Sequence, residues 1–381
     1  MTKPVIGAYY FPNYHCDPRN EAEHGRGWTE WELVKHATPR FEGHNQPLVP
    51  LWGYEDESDP AVMAKKIQAA ADHAVDFFIF DWYHYNDGEF LNRALDHGYL
   101  GASNNHLTQF ALMWANHDWR EIMPAKFGRP SDILYPGKVT QATMDQIADT
   151  FAEKYATHPS YFRIDGRAYF SIYEVDLLIA QAGGLREAAA QIERFRERVR
   201  ARSGAELHLN GIFKKSPILQ GEKTSEKFSD LVSELGLDSA TSYVWIHHTN
   251  RLSTQTLVSF EDVCNDFMQF WHNEGMKLPV PYFPNVSMGW DASPRTVQSD
   301  KWEVRGYPFT GILSGNTPER FGATLRRMLS ELRERRLPEM VTINAWNEWT
   351  EGSYLEPNTT DRFAYLEAIR DAVNSHLQSK S

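Results

Sequence analysis

A chain of 381 residues, 41% hydrophobic and 13% aromatic, is long enough for a large core and fits the size of one α/β barrel domain, residues 1–381. Its net charge of −12 argues against a nucleic-acid backbone and against an anionic membrane surface as partners. Cys16 and Cys264 stand far apart and provide neither a disulfide framework nor a zinc spacing.

The first residues, Met1-Thr2-Lys3-Pro4, lead directly into an apolar run, with no signal segment and no stretch long enough to span a membrane. A soluble cytoplasmic chain is the default expectation, although a secreted chain trimmed of its leader would read the same. Apolar, partly β-branched runs predict strands near 5–11, 76–82, 109–115, 168–173, 206–213, 239–244, 280–287 and 340–345. Helical periodicity falls between them, near 60–75, 89–97, 140–157, 185–202, 225–235, 260–275 and 317–336, with a last helix near 361–378. Eight strands, each followed by a helix, predict a (β/α)8 barrel; an open doubly wound sheet is the runner-up. Long segments follow strands (12–59, 116–139, 245–259, 288–316), whereas helix-to-strand segments are mostly short, 158–167 being the main exception. In a barrel the segments after strands share one face, the one that carries active sites.

That face would gather polar and aromatic residues from seven strand ends, including Tyr10, Asp81, Trp82, Asn116, His117, Tyr173, Tyr243 and Trp290. Singly, each would more often be a packed core residue. Their recurrence suggests a wall for a ring-shaped, polyhydroxylated ligand, indoles offering flat apolar faces. The eighth strand ends in Asn344-Ala345-Trp346-Asn347-Glu348-Trp349-Thr350-Glu351-Gly352. Glycoside cleavage needs one carboxyl to protonate the leaving oxygen and a second to assist displacement at the anomeric carbon. Glu348 and Glu351 are the candidates. They could instead cap the next helix in water, but Trp346, Trp349 and Tyr354 crowd the turn, which a solvated cap does not need.

No His-Glu-x-x-His, paired-cysteine, dinucleotide or Walker pattern occurs, so neither a catalytic metal nor a cofactor is expected. No Asp-x-Asp occurs either, which weakens a metal-dependent nucleotide-sugar site. Nothing in the pattern specifies an oligomeric state.

Asn347-Glu348-Trp349-Thr350-Glu351-Gly352 with Glu356-Pro357 resembles a segment of glycoside hydrolase family 99, and more closely the family 99-like, WbsX-type proteins found among bacterial polysaccharide genes. Tyr10-Phe11-Pro12-Asn13-Tyr14-His15, Gly27-Trp28-Thr29-Glu30-Trp31 through Gly43-His44-Asn45-Gln46-Pro47, and Trp114-Ala115-Asn116-His117-Asp118-Trp119 are similar to that group in the same order. The resemblance implies a (β/α)8 barrel and a retaining, metal-free site. It also implies roles: Glu348 as the base on the sugar's own 2-hydroxyl, giving an anhydro-sugar intermediate, and Glu351 as the general acid/base. A direct nucleophile satisfies the two-carboxyl chemistry equally well. His117-Asp118 stands where the WbsX-type pattern usually has Glu, and Thr350 where family 99 tends to have His, so mannosidase specificity is not carried over.

The expectation is a retaining hydrolase of an α-linked microbial oligo- or polysaccharide, with mannose-type chains among the options. Glu348 and Glu351 would carry the chemistry, with Glu351 protonated through a raised pKa. Tyr10, Asp81, Trp82, Asn116, His117, Tyr173, Tyr243, Trp346 and Trp349 would form the sugar-binding wall. A glycosyltransferase or transglycosylase of surface-polysaccharide assembly is the alternative, and a non-catalytic carbohydrate-binding protein the third reading.

Overall fold

In the computed structural model, which describes residues 3–219, 222, 224 and 228–379, eight parallel strands close into a barrel. They are β1 (Val5–Tyr10), β2 (Phe77–Tyr85), β3 (Gln109–Trp114), β4 (Arg167–Ile172), β5 (Leu207–Ile212), β6 (Ser239–Thr241), β7 (Tyr282–Phe283 with Asn285–Ser287) and β8 (Met340–Asn344). β8 returns to pair with β1 in the register Val5↔Met340. The expected strand at 280–287 is in two pieces because Pro284 lacks an N–H to donate. Its first piece pairs with β6 and its second with β8, so the barrel closes across the break.

Helices Pro60–Asp72, Gln141–Lys154, Leu185–Ser203, Phe260–Asn273, Pro318–Glu334 and Ala364–Gln378 lie within the expected spans to within a residue. Of the helix expected at 225–235, Phe228–Glu234 is helical, and residues 225–227 lie outside the described residues. The helix expected at 89–97 is replaced by a strand, Gly88–Phe90, and a π-helical turn, Ala94–Tyr99. Gly88–Phe90 folds back on β2, and Phe90 packs edge-on to Trp119 at 4.9 Å. That tertiary contact overrides the local periodicity. The unexpected helix Val175–Ala182 follows β4 directly. The long connection at 158–167 is itself folded, as a hairpin of Arg163–Ile164 against β4 turning at Asp165 and Gly166, both at positive φ. Among the described residues no helix is long and apolar enough to cross a membrane.

Side chains alternate along a strand, one into the barrel and the next toward the helices. All nine residues of β2 are buried, as expected of a strand covered on both faces. Phe77 fills the barrel floor, where it stacks on Phe162 at 3.8 Å. A Cβ on Gly7 would come 2.4 Å from its ring, so Gly7 is what lets it in. Around it several interior polar groups are paired: Asn210 donates to Ser171 at 2.8 Å, and Asn285 to Thr342 at 3.2 Å. Such pairing removes most of the cost of burying these groups.

Candidate active site

After β8 the chain makes a small hairpin. Asn347–Glu348 pairs with Ser353–Tyr354, closed by a 3-10 turn at Trp349–Glu351. Gly352 ends that turn at φ 62°, and a Cβ there would meet Asp291 at 2.8 Å, so glycine is required twice over. Asn347 ties the hairpin to the end of β1, accepting from the Phe11 N–H at 2.8 Å and donating to the Phe11 carbonyl at 2.7 Å. Glu356 accepts the indole N–H groups of Trp346 at 3.0 Å and Trp349 at 2.7 Å. The sequence motif is therefore a local framework that projects Glu348 and Glu351 into a cavity at the barrel mouth.

Both glutamates are nearly fully buried and meet one guanidinium. Arg295 lies 3.0 Å from Glu348 Oε2 through Nη2 and 2.6 Å from Glu351 Oε1 through Nη1. It also binds buried Glu30, at 2.9 Å. The Tyr307 hydroxyl donates to Glu351 at 2.7 Å. Arg295 sits on a turn held by Asp291, which takes hydrogen bonds from Gln46 at 2.7 Å and the Ser293 N–H at 3.0 Å and faces His44 at 2.8 Å. The long first loop thus reaches across the mouth to set the cation between the acids. Burial pushes the Asp291 carboxyl up, but His44 and the other donors outweigh it, and it lies below the ordinary carboxylate range.

One guanidinium faces three carboxylates here, with Asp81 beside them. Burial, then the charge of Glu351, pushes Glu348 well above the ordinary range against the pull of Arg295. Burial also raises Glu351, opposed by Arg295 and by the Tyr307 hydroxyl. Asp81 is raised well above the ordinary range by burial, and its hydrogen bond from Tyr243 only partly offsets this. The Tyr243 hydroxyl lies 3.0 Å from Asp81 Oδ2 and 3.3 Å from Glu348 Oε1, so its single proton serves one at a time. Asp81 Oδ1 is buried without a hydrogen-bond partner among the described residues. An unsatisfied carboxyl oxygen in a cavity wall is a place for a ligand hydroxyl.

Of the residues expected at the site, Glu348, Glu351, Asp81, His117, Tyr173 and Tyr243 line this cavity. Burial lowers His117, so its imidazole is neutral. Tyr10, Trp82, Asn116, Trp346 and Trp349 do not line it. Tyr10 turns outward, its hydroxyl donating to Glu57 at 2.8 Å and accepting from Lys66 at 3.0 Å. Trp82 faces Tyr155 and Phe170 outside the barrel. Asn116 bonds the backbone of Glu174 through both ends of its amide. Trp346 packs on Phe78, and Trp349 stacks on Tyr354 at 3.7 Å. The reason on β2 and β3 is alternation: Asp81, Tyr83, Met113, Ala115 and His117 face inward, so Trp82, Trp114 and Asn116 face out. The aromatic walls come from Phe11, Tyr83, Trp119 and Trp290 instead. Sequence reasoning missed Arg295 and Tyr307. The signal available was chemical, since paired buried acids demand a cation and the long segment 288–316 was the place to seek one.

A second buried group underlies the same wall. Lys214 lies between Glu174 and Glu222, 3.1 Å from Glu222, with its ammonium 4.2 Å from the Tyr173 ring centroid. The Glu222 carboxyl, also bonded by the Ile218 and Leu219 N–H groups, is held down to about 2 despite its burial. Among the described residues no three His, Cys, Asp or Glu side chains are arranged to hold a metal ion.

The chain is similar over its whole length to the family 99 endo-alpha-mannosidase of Bacteroides thetaiotaomicron, at 13% identity and TM-score 0.62, covering 100% of this chain and 99% of that one. It is also similar to the beta-glucosidase of Thermotoga maritima, at 10% identity and TM-score 0.51, covering 98% of each chain. At such identities the likeness establishes the barrel fold. Two strains of Xanthomonas campestris pv. campestris carry the uncharacterised protein WxcX, 28% identical over 379 residues and 97% of this chain. This chain spans about half the length of those relatives, 49%. A model of one protein family matches residues 6–369, and the chain belongs to that family, described as glycosyltransferase WbsX.

Proposed function

We propose that this protein is a retaining glycoside hydrolase acting on an α-linked, mannose-type or related glycan, with Glu348 and Glu351 as its working pair. One observation carries the reading: two buried carboxyls with raised affinity for protons share one guanidinium in a cavity at the C-terminal mouth of a barrel. The α-linkage draws support from the resemblance of Asn347-Glu348-Trp349-Thr350-Glu351-Gly352 to the family 99 segment.

Glu351 is the general acid/base. Tyr307 and Arg295 supply the donors that stabilise its charge once the proton has gone to the leaving oxygen. Glu348 assists displacement, as base on the sugar's 2-hydroxyl or directly at the anomeric carbon. Burial raises the proton affinity of both carboxyls, and two acids this close titrate as one pair. A sugar hydroxyl donating to Glu348 adds a hydrogen bond to its ionised form and favours the proton on Glu351, where catalysis needs it. Asp81 Oδ1 takes another hydroxyl.

The test is a screen of wild type and Glu351→Gln against α-linked glycans and activated aryl glycosides, with product anomers followed by NMR. Turnover with retained configuration, lost in the variant, is expected; unchanged turnover in both Glu348→Gln and Glu351→Gln would end the assignment. The second reading, glycosyl transfer, has the family's description in its favour. Transfer from a nucleotide sugar, with no glycan hydrolysed, would decide for it.

A further inference from the structure

Ile122, Ile218 and Tyr307 are walls of two depressions at once: the catalytic cavity and an outer groove. Lys126, Arg129 and Arg305 line the outer groove, and among the described residues no Asp or Glu does. All three cations are exposed and form no ion pair among the described residues. Other surface arginines of this acidic chain are paired, as Arg198 with Asp149 and Arg251 with Asp266. Acids do lie near the groove, and Arg305 acts on one of them, Glu303, through its charge. Asp300 accepts the Phe127 N–H at 2.8 Å, and Glu303 binds Lys301. Arg305 is held over the Phe127 ring at 4.9 Å. The rim is also fastened to the catalytic cation, because the Ala125 N–H donates to the Arg295 carbonyl at 2.8 Å. Three unpaired cations in a concave surface of a chain with net charge −12 concentrate positive potential where a substrate would leave the cavity.

The groove lies on one definite side of the chemistry. Its shared wall, Tyr307, hydrogen-bonds Glu351. If Glu351 protonates the leaving oxygen, as in the function proposed above, the groove receives the part of the substrate that departs. We propose that this departing part carries an anionic group, a carboxylate or a phosphate, bound by Lys126, Arg129 and Arg305. The group has two chemical sources. One is an acidic sugar next to the scissile bond of a glycan; the other is the diphosphate of an activated sugar.

The experiment is calorimetric titration of the full chain with a glucuronic acid-containing oligosaccharide, its methyl-esterified neutral counterpart and inorganic pyrophosphate, at low and physiological salt. Wild type, Lys126→Gln/Arg129→Gln/Arg305→Gln and Glu351→Gln are compared, with circular dichroism to check folding. These cations are exposed, so the triple variant is expected to fold. Each exposed charge contact is worth up to a few-fold in affinity, so the triple variant should bind roughly tenfold or more weakly. Loss of that size for the uronate, with the neutral ester unaffected, supports the groove and a glycan source. The same loss confined to pyrophosphate supports the groove and points to an activated donor. Equal affinity of wild type and triple variant for both anions, or equal loss for the neutral ester, overturns the proposal. Binding by Glu351→Gln should persist, so failure of the hydrolase reading would register in turnover and not in these titrations.

Discussion

Two buried clusters of acids lie on either side of the turn after β8, and they are treated oppositely. Beneath the turn, Glu57 accepts from the Tyr10 hydroxyl at 2.8 Å, the Tyr14 N–H at 2.8 Å and Asn347 at 3.2 Å. Its neighbour Glu356 takes two indole donors and the Lys66 ammonium at 2.7 Å. These carboxylates have strong donors from several directions and act as mortar. Above the turn, Glu348, Glu351 and Glu30 divide one guanidinium, and Asp81 has an oxygen with no partner among the described residues. Burial costs both clusters hydration, but only the lower one recovers it in full from the protein. The upper cluster keeps carboxyls whose proton affinity burial raises and an acceptor that no described residue satisfies, an arrangement typical of acids that work on a ligand.

Substitutions test this contrast directly. The largest effect is expected from Glu351→Gln, with kcat/KM down on the order of 10³–10⁴ for an unactivated glycan through loss of the general acid. An aryl glycoside with a good leaving group should lose much less, and an equal loss on both substrates would remove Glu351 from the acid role. In the lower cluster, Lys66→Met should cost about 3–5 kcal/mol in urea unfolding, because it leaves buried carboxylates without their cation. If the lower acids are purely structural, molecules of that variant that remain folded keep most of their turnover.

A smaller effect separates the clusters by pH. A carboxyl whose folded pKa is raised holds its stabilising contribution below its unfolded value and loses it as pH rises through the folded value. Glu348 is such a group. Glu348→Gln should therefore gain stability relative to wild type as pH rises from the ordinary carboxylate range toward neutrality. A difference between the two that stays constant over that range would mean that Glu348 is ionised throughout. The smallest change is expected of Tyr243→Phe, which deletes one hydrogen bond, worth about 1 kcal/mol. Its turnover should fall roughly tenfold or less, with the pH-rate profile displaced because Asp81 and Glu348 lose their shared donor.

Much of the architecture is legible without coordinates. The eight strand regions, the long segments on one face and the acid pair at the end of β8 all follow from local pattern, because a strand buried on both sides must read as an apolar run. Two kinds of feature escape that pattern. Phe90 falls in a helical period, but its partners Tyr83 and Trp119 come from other elements and hold it in a strand. Tyr10, Trp82 and Asn116 stand at strand ends, where a sugar wall is expected, yet alternation along each strand turns them toward the helices.

Local sequence is enough for the eight strand regions and for singling out Glu348 and Glu351 at the end of β8, because each is read from residues close together in the chain. What surrounds those acids is settled by the folded chain alone. Arg295, Glu30, Tyr307, Tyr243 and Asp81 are far apart in sequence, and their charges act through space in a buried, weakly screening interior. Which carboxyl holds the proton is a sum over those distances, and such a sum exists only once the chain has folded.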